Sequence, residues 1–213
     1  MSYAVKELYY TLQGEGAQTG RAAVFCRFAG CNLWTGREAD RQAASCSFCD
    51  TDFVGTDGPG GGAYPSADDL ADAIGACWSQ HADLTGTRFV VFTGGEPALQ
   101  LDAPLVAALH ARSFEVAIET NGTRPLPPGI DWVCVSPKAG TDVVVRSGQE
   151  LKLVHPQSDL PPEAVAGWSF RHFFLQPMDG RDATANTRAA AAYCLAHPVW
   201  RLSLQTHKLI GLP

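Results

Sequence analysis

The sequence has few charged side chains, and its basic residues form no run. Charged residues make up 18% of the 213 residues, and the net charge is −6. Nucleic acids and anionic membranes are usually bound through basic patches. No run of 18 apolar residues is present either, so no membrane span is predicted. We therefore expect a small-molecule ligand, with no nucleic-acid or membrane partner.

The signals of an exported protein are also missing. The first residues lack the basic and then apolar segments of a signal peptide. The cysteine count is seven, and an odd number cannot be consumed entirely by internal disulfides. We expect reduced thiols and a cytoplasmic location.

The length favours one domain over residues 1–213 and is short of the roughly 250 residues of a complete eight-unit barrel. Residues 55–63 are dense in glycine and are predicted to form a flexible loop. Apolar runs predict strands at residues 22–29, 88–92, 114–118, 131–135, 150–154 and 171–175. Helices are predicted from Ser66, from Asp102 and over residues 184–196.

Strands that alternate with helices predict an α/β fold with a parallel sheet. Ligands of such sheets bind beyond the carboxyl ends of the strands. The segments that follow the predicted strands are polar or glycine-rich and are therefore expected to line one rim, namely 30–32, 93–96, 119–121, 136–138 and 176–179.

Three cysteines have the spacing of a metal centre. Cys31, Cys46 and Cys49 are separated by 14 and then 2 residues, and a Cys-x2-Cys turn presents two thiolates to one centre. Three ligands leave one coordination position open for chemistry. A closed zinc site with His81 or another cysteine as the fourth ligand is the alternative. The remaining thiols, which belong to Cys26, Cys77, Cys134 and Cys194, are expected to pack in the core.

A glycine-rich turn follows the strand at 88–92. In Thr93-Gly-Gly-Glu-Pro97 the glycines allow close backbone approach, and Glu96 can accept hydrogen bonds from an ammonium group. Together with the cysteines, this turn resembles the radical S-adenosylmethionine superfamily. The usual spacing there is Cys-x3-Cys-x2-Cys. The enlarged loop here, with the segments at 12–16, 49–51 and 119–122, is similar to the 7-carboxy-7-deazaguanine synthase family.

This resemblance implies a single radical S-adenosylmethionine domain over 1–213, folded as a partial (β/α) barrel of about six parallel strands. Its enlarged cluster loop would span residues 31–49, and its C-terminal segment would cover the site. The implied reaction is the ring contraction of 6-carboxy-5,6,7,8-tetrahydropterin to 7-carboxy-7-deazaguanine with loss of ammonia, a lyase step toward queuosine and other 7-deazapurines. A 5′-deoxyadenosyl radical would abstract hydrogen from carbon 6 of the pterin, and the cofactor would be regenerated.

Chemistry and the resemblance together suggest the substrate site. Gln13 and Glu15 can hydrogen-bond to a pyrimidine edge, and a plain turn is the alternative for their segment. Arg27 can form a bidentate ion pair with a carboxylate of the ligand, and a surface ion pair within the protein is the alternative. The resemblance implies eight substrate-binding residues, which are Leu12, Gln13, Gly14, Glu15, Arg27, Thr93, His207 and Pro213. For Pro213 the implied contact is the terminal carboxylate. A short closing strand is the alternative for this segment.

The resemblance also implies the cofactor site. Cys31, Cys46 and Cys49 would hold a 4Fe-4S cluster, and Thr51 would be the protein ligand of Mg²⁺, with Asp52 or a plain turn as alternatives. S-adenosylmethionine would contact Ser47, Phe48, Cys49, Asp50, Gly95, Glu96, Glu119, Ser136, Pro137, Lys138, Gln176, Pro177, Met178 and Asp179. Lys138 can also be an ordinary solvated lysine.

The resemblance implies a homodimer that receives electrons from a flavodoxin or a ferredoxin. Two other functions stay open at this point. One is a small activase of a glycyl-radical enzyme, which shares the cluster and the glycine turn but requires a protein-binding surface. The other is a non-catalytic zinc or iron-sulfur module.

Overall fold

Parallel strands dominate the architecture. A computed structural model describes residues 2–81 and 86–213. Its strands form one nine-stranded sheet in the order β3-β1-β2-β4-β5-β6-β7-β8-β9. The strands are β1 (Tyr3–Leu12), β2 (Ala22–Phe28), β3 (Gly62–Tyr64), β4 (Arg88–Gly94), β5 (Phe114–Thr120), β6 (Trp132–Val135), β7 (Ser147–His155), β8 (Ser169–Pro177) and β9 (Trp200–Leu202). The α/β class and the largely parallel sheet are as the sequence predicts.

All six predicted strands are present, as β2 and β4 to β8, and each pairs with its neighbour in parallel. The parallel set nevertheless has seven members, one more than expected, because Trp200–Leu202 adds β9 alongside β8. The strand β1 is also unpredicted. It pairs antiparallel with both β2 and β3 and carries the chain to the rim where the polar segments lie.

The helices are α1 (Ala67–His81), α2 (Ala103–Ala111), the short α3 (Pro162–Val165), α4 (Ala183–Ala196) and α5 (Thr206–Ile210). The three predicted helices are α1, α2 and α4, whereas α3 and α5 are unpredicted, and α1 and α2 begin at the predicted caps. Ser66 Oγ accepts from the Asp69 amide at 3.2 Å and donates to its carboxylate at 2.6 Å, which is a capping arrangement. Asp102 Oδ1 accepts from the Leu105 amide at 3.1 Å. These side chains satisfy amides that the first helical turn leaves without partners.

Buried apolar side chains form two clusters. One packs β1, β2, β4 and β5 against α1 and α2, and the other packs β7 and β8 against α4. All seven cysteines are free. Cys26 and Cys134 are fully buried, while Cys77 and Cys194 are half-buried and pack against the two clusters, in agreement with their expected core role.

The glycine-rich segment differs in part from the predicted flexible loop. Its last residues, Gly62 and Ala63, begin β3 and pair with β1. Before them, the Gly58 amide donates to Lys6 O at 2.9 Å, and the Leu8 amide donates to Pro59 O at 2.7 Å. A Cβ on Gly61 would lie 2.3 Å from Lys6 O. Glycine therefore serves here to let the segment lie directly against the β1 backbone.

None of the helices in residues 2–81 and 86–213 combines the length and the apolar character that crossing a bilayer requires. The parallel strands all point their carboxyl ends to the same rim, and the segments after β2, β4, β5, β6 and β8 meet there around one cavity.

Candidate active site

A cavity of about 420 Å³ opens at the carboxyl ends of the parallel strands. Most of the predicted site residues line it, namely Leu12, Gln13, Gly14, Glu15, Arg27, Cys31, Cys46, Phe48, Cys49, Asp50, Thr51, Thr93, Gly95, Glu119, Ser136, Lys138, Gln176, Pro177, Met178, Asp179, His207 and Pro213. Three predicted residues do not line it: Ser47, Glu96 and Pro137. Segments spread over the whole sequence thus meet in one place.

The thiols of Cys31, Cys46 and Cys49 all border this cavity. The neighbouring Cys46 thiol lowers the pKa of the Cys49 thiol by hydrogen bonding, so one proton is held between the two sulfurs. A Cβ on Gly95 would lie 2.6 Å from the Cβ of Cys31, so the second glycine of the turn is required for this close approach. The glycine turn and the cysteine loop are therefore adjacent parts of one site.

His81 is the fourth ligand that the zinc alternative names, and the structure places it away from the three cysteines. Within the described residues, no group of three or more His, Cys, Asp or Glu side chains is placed as in a metal site. His81 is outside the cavity, where it stacks on Tyr10 with 5.3 Å between ring centroids. It therefore cannot be the fourth ligand.

The floor of the cavity carries a buried charge cluster. Lys152 Nζ lies 2.6 Å from Glu15 Oε2 and 2.7 Å from Glu119 Oε2, and its side chain is only 5% exposed. Burial alone would raise the pKa of Glu15, but the Lys152 ammonium outweighs it and lowers that pKa to about 2. Gln13 Nε2 donates to Glu119 Oε1 at 3.1 Å, and Gln205 Nε2 donates to Glu15 Oε1 at 3.0 Å. Glu15 is thus held ionised, and both carboxylates place acceptor oxygens at the cavity floor.

Arg27 borders the same cavity and is also paired. Its Nε donates to Glu7 Oε1 at 2.7 Å, and its Nη2 donates to Tyr9 Oη at 3.0 Å. The two interpretations of Arg27, ion pair and ligand contact, are therefore compatible. The ion pair orients the guanidinium, and the guanidinium presents a fixed positive charge to the cavity.

Glu96 lies beneath the cavity wall and is completely buried. Its Oε1 accepts from the Ala98 amide at 2.8 Å and from Thr120 Oγ1 at 2.7 Å, while its Oε2 accepts from the Asn121 amide at 2.8 Å. Burial raises the pKa of this carboxyl group despite these donors. In this geometry Glu96 joins the turn after β4 to the end of β5, and the wall itself is formed by Gly94 and Gly95.

Lys138 borders the cavity near Cys46 and Cys49 and is not simply solvated. Its Nζ donates to Ser136 O at 2.6 Å and to Ser136 Oγ at 2.8 Å. Burial lowers the pKa of Lys138, and the nearby Cys46 and Cys49 thiols act in the opposite direction. The lysine thus provides a positive charge near the cysteines.

Thr51 lines the cavity two residues after Cys49. The neighbouring carboxylate of Asp52 is already engaged, because its Oδ2 lies 2.9 Å from Lys6 Nζ and its Oδ1 accepts from the Val54 amide at 3.1 Å. Of these two oxygen donors, only the Thr51 hydroxyl is without such a lysine partner among the described residues.

The C-terminal segment closes one side of the cavity. Both the amide and the hydroxyl of Thr206 donate to Gly14 O, at 2.9 and 2.8 Å. A Cβ on Gly14 would overlap the His207 ring, so His207 packs directly on that glycine. Pro213 O accepts from Thr11 Oγ1 at 3.2 Å. These contacts bring His207 and Pro213 beside residues 12–15.

Three cavity lysines, Lys6, Lys152 and Lys208, are absent from the sequence-based site. Lys152 lies in β7, in a segment for which the sequence predicts only an apolar strand. Glu150 and Lys152 alternate there with Leu151 and Leu153, and charge at a period of two in a buried strand indicates a functional face. Lys208 Nζ lies 2.8 Å from Asp50 Oδ2 and 2.6 Å from Asp179 Oδ2, and no local pattern marks it.

No protein-family model matches the chain. It is 68% identical over 213 residues to 7-carboxy-7-deazaguanine synthase from Bordetella pertussis and 62% identical to the enzyme of that name from Caulobacter vibrioides, with both chains covered completely in each case. Its structure resembles the crystal structure of QueE from Escherichia coli, with a TM-score of 0.68, 32% identity and coverage of 96% of this chain and 94% of that chain. Neither the activase nor the non-catalytic module is favoured by these matches. The chain belongs to the 7-carboxy-7-deazaguanine synthase family.

Proposed function

We propose that this chain catalyses the ring contraction of 6-carboxy-5,6,7,8-tetrahydropterin to 7-carboxy-7-deazaguanine, with loss of ammonia, in queuosine and 7-deazapurine biosynthesis. One observation carries the proposal. Three free thiols and a floor of carboxylates paired with Lys152 border the same cavity, so an iron-sulfur centre and a polar heterocycle can be held next to each other.

Cys31, Cys46 and Cys49 would hold a 4Fe-4S cluster, and the close approach of Gly95 to Cys31 supports this fit. When bound, the cluster and S-adenosylmethionine supply one-electron radical chemistry at the substrate. The protein's own contribution is to orient the reacting atoms and to exclude water.

The pyrimidine edge of the pterin presents donors and acceptors, and Gln13 and Glu15 would hydrogen-bond to it. Lys152 lowers the pKa of Glu15, so Glu15 remains an acceptor at neutral pH. Arg27 would pair with the carboxylate of the pterin. Leu12, Gly14, Thr93, His207 and Pro213 complete the proposed substrate wall, which is supported by the contacts of Thr206 and His207 with Gly14.

S-adenosylmethionine would occupy the side of the cavity between the cluster loop and the end of β8. Gly95 and the Ser136–Lys138 segment would hold its methionyl and ribose parts, and Phe48 would pack on the adenine. The proposed contacts extend to Ser47, Cys49, Asp50, Glu96, Glu119, Pro137, Gln176, Pro177, Met178 and Asp179. Glu96 would act by fixing the turn, since three protein donors already occupy its oxygens.

Thr51 would provide the protein ligand of Mg²⁺, with substrate oxygens and water as the remaining ligands. The pairing of Asp52 with Lys6 supports Thr51 over Asp52.

At the level of the whole chain, we propose a partial (β/α) barrel in one radical S-adenosylmethionine domain, closed by the C-terminal segment. The electron donor would be a flavodoxin or a ferredoxin. A homodimer is also proposed, and exposed apolar side chains at Leu195, Leu209 and Ile210 are available for contact between copies.

An anaerobic assay tests this function. Reconstituted protein is incubated with S-adenosylmethionine, dithionite and 6-carboxytetrahydropterin, and the deazaguanine product and ammonia are measured. Cys49→Ala should abolish turnover and lower the iron content, while Cys194→Ala is the matched control in a half-buried thiol far along the chain. Absence of product from protein that carries about four irons per chain would refute the proposed reaction.

A further inference from the structure

The segment between the first two cluster cysteines, residues 32–45, is folded as a unit, and we call it the insert. The amide of Ser45 donates to Leu33 O at 3.1 Å and so joins its two ends. Trp34 is buried and meets Phe53 edge-on, with 5.6 Å between ring centroids. Its Nε1 donates to Arg37 O at 3.1 Å. The insert is thus anchored by its own tryptophan.

Arg41 connects the insert to the turn that carries Cys46 and Cys49. Its Nη1 donates to Ser47 O at 2.9 Å and to Cys49 O at 3.0 Å. Its Nε donates to Glu38 Oε2 at 2.8 Å. The guanidinium carbon lies 4.2 Å above the centre of the Trp34 ring. One side chain therefore bridges two carbonyls of the Cys-x2-Cys turn while it is stacked on the insert.

A guanidinium is suited to this task for a geometric reason. Its planar group carries donors in fixed directions and can stack on an aromatic ring at the same time. An ammonium is a compact point charge on a flexible stem and does not reproduce this geometry. The carbonyls of Ser47 and Cys49 are thereby tied to a fixed neighbour on the buried Trp34.

We propose that Arg41 is a positioning residue of the cluster site, and that the insert serves to place it. By holding the carbonyls of Ser47 and Cys49, it fixes the turn and with it the spacing of the Cys46 and Cys49 thiols. The inference rests on the proposed function, in which these thiols hold the cluster. Because Arg41 holds the turn, the turn opens more slowly. Opening of the turn is the step that exposes iron to a competing ligand.

The first test compares Arg41→Gln with Arg37→Gln in the reconstituted holoprotein. Arg37 lies in the same insert and is exposed, and its guanidinium makes no hydrogen bond to the described residues. Loss of the visible cluster absorbance to an iron chelator should be about tenfold faster in Arg41→Gln, which corresponds to about 1.4 kcal/mol. Arg37→Gln should match the wild type. Arg41→Lys should also lose iron faster, because charge alone does not replace the bridging geometry.

The second test uses the apoprotein and needs no cluster. Cys46 borders the cavity but is only 6% exposed, so opening of the turn increases the access of iodoacetamide to it. Alkylation of Cys46, measured by mass spectrometry relative to the core thiol of Cys26, should be about tenfold faster in Arg41→Gln. Thermal unfolding followed by circular dichroism shows whether each variant is folded. If Arg41→Gln is unfolded, Trp34→Phe replaces it, because phenylalanine keeps an aromatic ring but stacks more weakly on the guanidinium.

The outcomes separate this inference from the proposed function. If wild-type protein forms no iron-sulfur cluster, the proposed function fails. If wild-type protein forms the cluster and Arg41→Gln loses it no faster than Arg37→Gln, the role of Arg41 is refuted. If Arg41→Lys loses the cluster as slowly as the wild type, the role given to the bridging geometry is also refuted.

Discussion

Replacement of Lys152 by methionine should destabilise the protein in a pH-dependent way. Lys152 is the cation between Glu15 and Glu119, and its side chain is nearly inaccessible to water. Methionine keeps most of the volume but leaves two carboxylates close together with no positive partner. Loss of one partner of a buried ion pair typically costs about 3–5 kcal/mol.

The lowered pKa of Glu15 gives an independent value for the stability that Lys152 contributes. The pKa of Glu15 is lowered from 4.5 to about 2 in the folded protein, and this difference corresponds to about 3 kcal/mol at neutral pH. In the wild type, this contribution is present above pH 4.5 and is lost as the pH falls toward 2. In Lys152→Met, unopposed burial instead raises the pKa of Glu15, so the variant loses stability as the pH rises through that pKa. The destabilisation should therefore be largest at pH 7 and smaller by at least about 1 kcal/mol at pH 5.

Urea unfolding of the apoprotein at pH 7 and pH 5 measures this effect. Lys6→Met is the matched control, because Lys6 also pairs with two carboxylates, those of Asp52 and Asp57, but their side chains are 70% and 82% exposed. Exposed pairs contribute about 0–1 kcal/mol, and free aspartates stay ionised at both pH values. Equal losses in the two variants, or a Lys152→Met loss that is the same at pH 7 and pH 5, would refute the reasoning.

Three further predictions concern the cavity wall. Thr51→Ala should abolish the response of turnover to added Mg²⁺ without loss of iron, whereas Asp52→Asn should keep that response; an unchanged response in Thr51→Ala contradicts the assignment. Lys208→Met should raise the KM for S-adenosylmethionine a few-fold with little change in kcat, because its half-exposed pairs with Asp50 and Asp179 are each worth at most about 1 kcal/mol; steady-state kinetics decide this. A peptide extension after Pro213 should raise the KM for the pterin, and an unchanged KM would remove Pro213 from the substrate site.

The parallel strands could be predicted because the signal is local. A buried parallel strand reads as a continuous apolar run, and the next helix reads as an apolar stripe. The strand β1 was not predicted because its sequence mixes charged and aromatic residues, and its pairing with β3 depends on glycines that lie about 55 residues later. The pairing of β1 depends on contacts with distant residues, which a short stretch of sequence does not contain.

The candidate site was predictable to a similar extent. Motif spacing located the cysteines and the residues at the strand ends, since both are fixed by short segments. The partners of those residues were not predictable. Glu96 reads as a free carboxylate in sequence, yet Thr120 and the Asn121 amide, which follow it by 24 and 25 positions, occupy its oxygens. Likewise, Lys208 meets Asp50 across 158 positions. Such contacts depend on the assembled sheet.

The hydrogen bonds between Thr206 and Gly14 have a consequence for biosynthesis. They join residues 192 positions apart. At about 5–20 residues per second, roughly 10–40 s of translation separate the two halves of this contact. During that interval the emerging chain carries its cysteines and the polar floor at Glu15 without the wall that Thr206 and His207 later provide. Iron delivered before the last segment leaves the ribosome would meet an open and oxidisable site, so productive metallation is expected to follow completion of the chain.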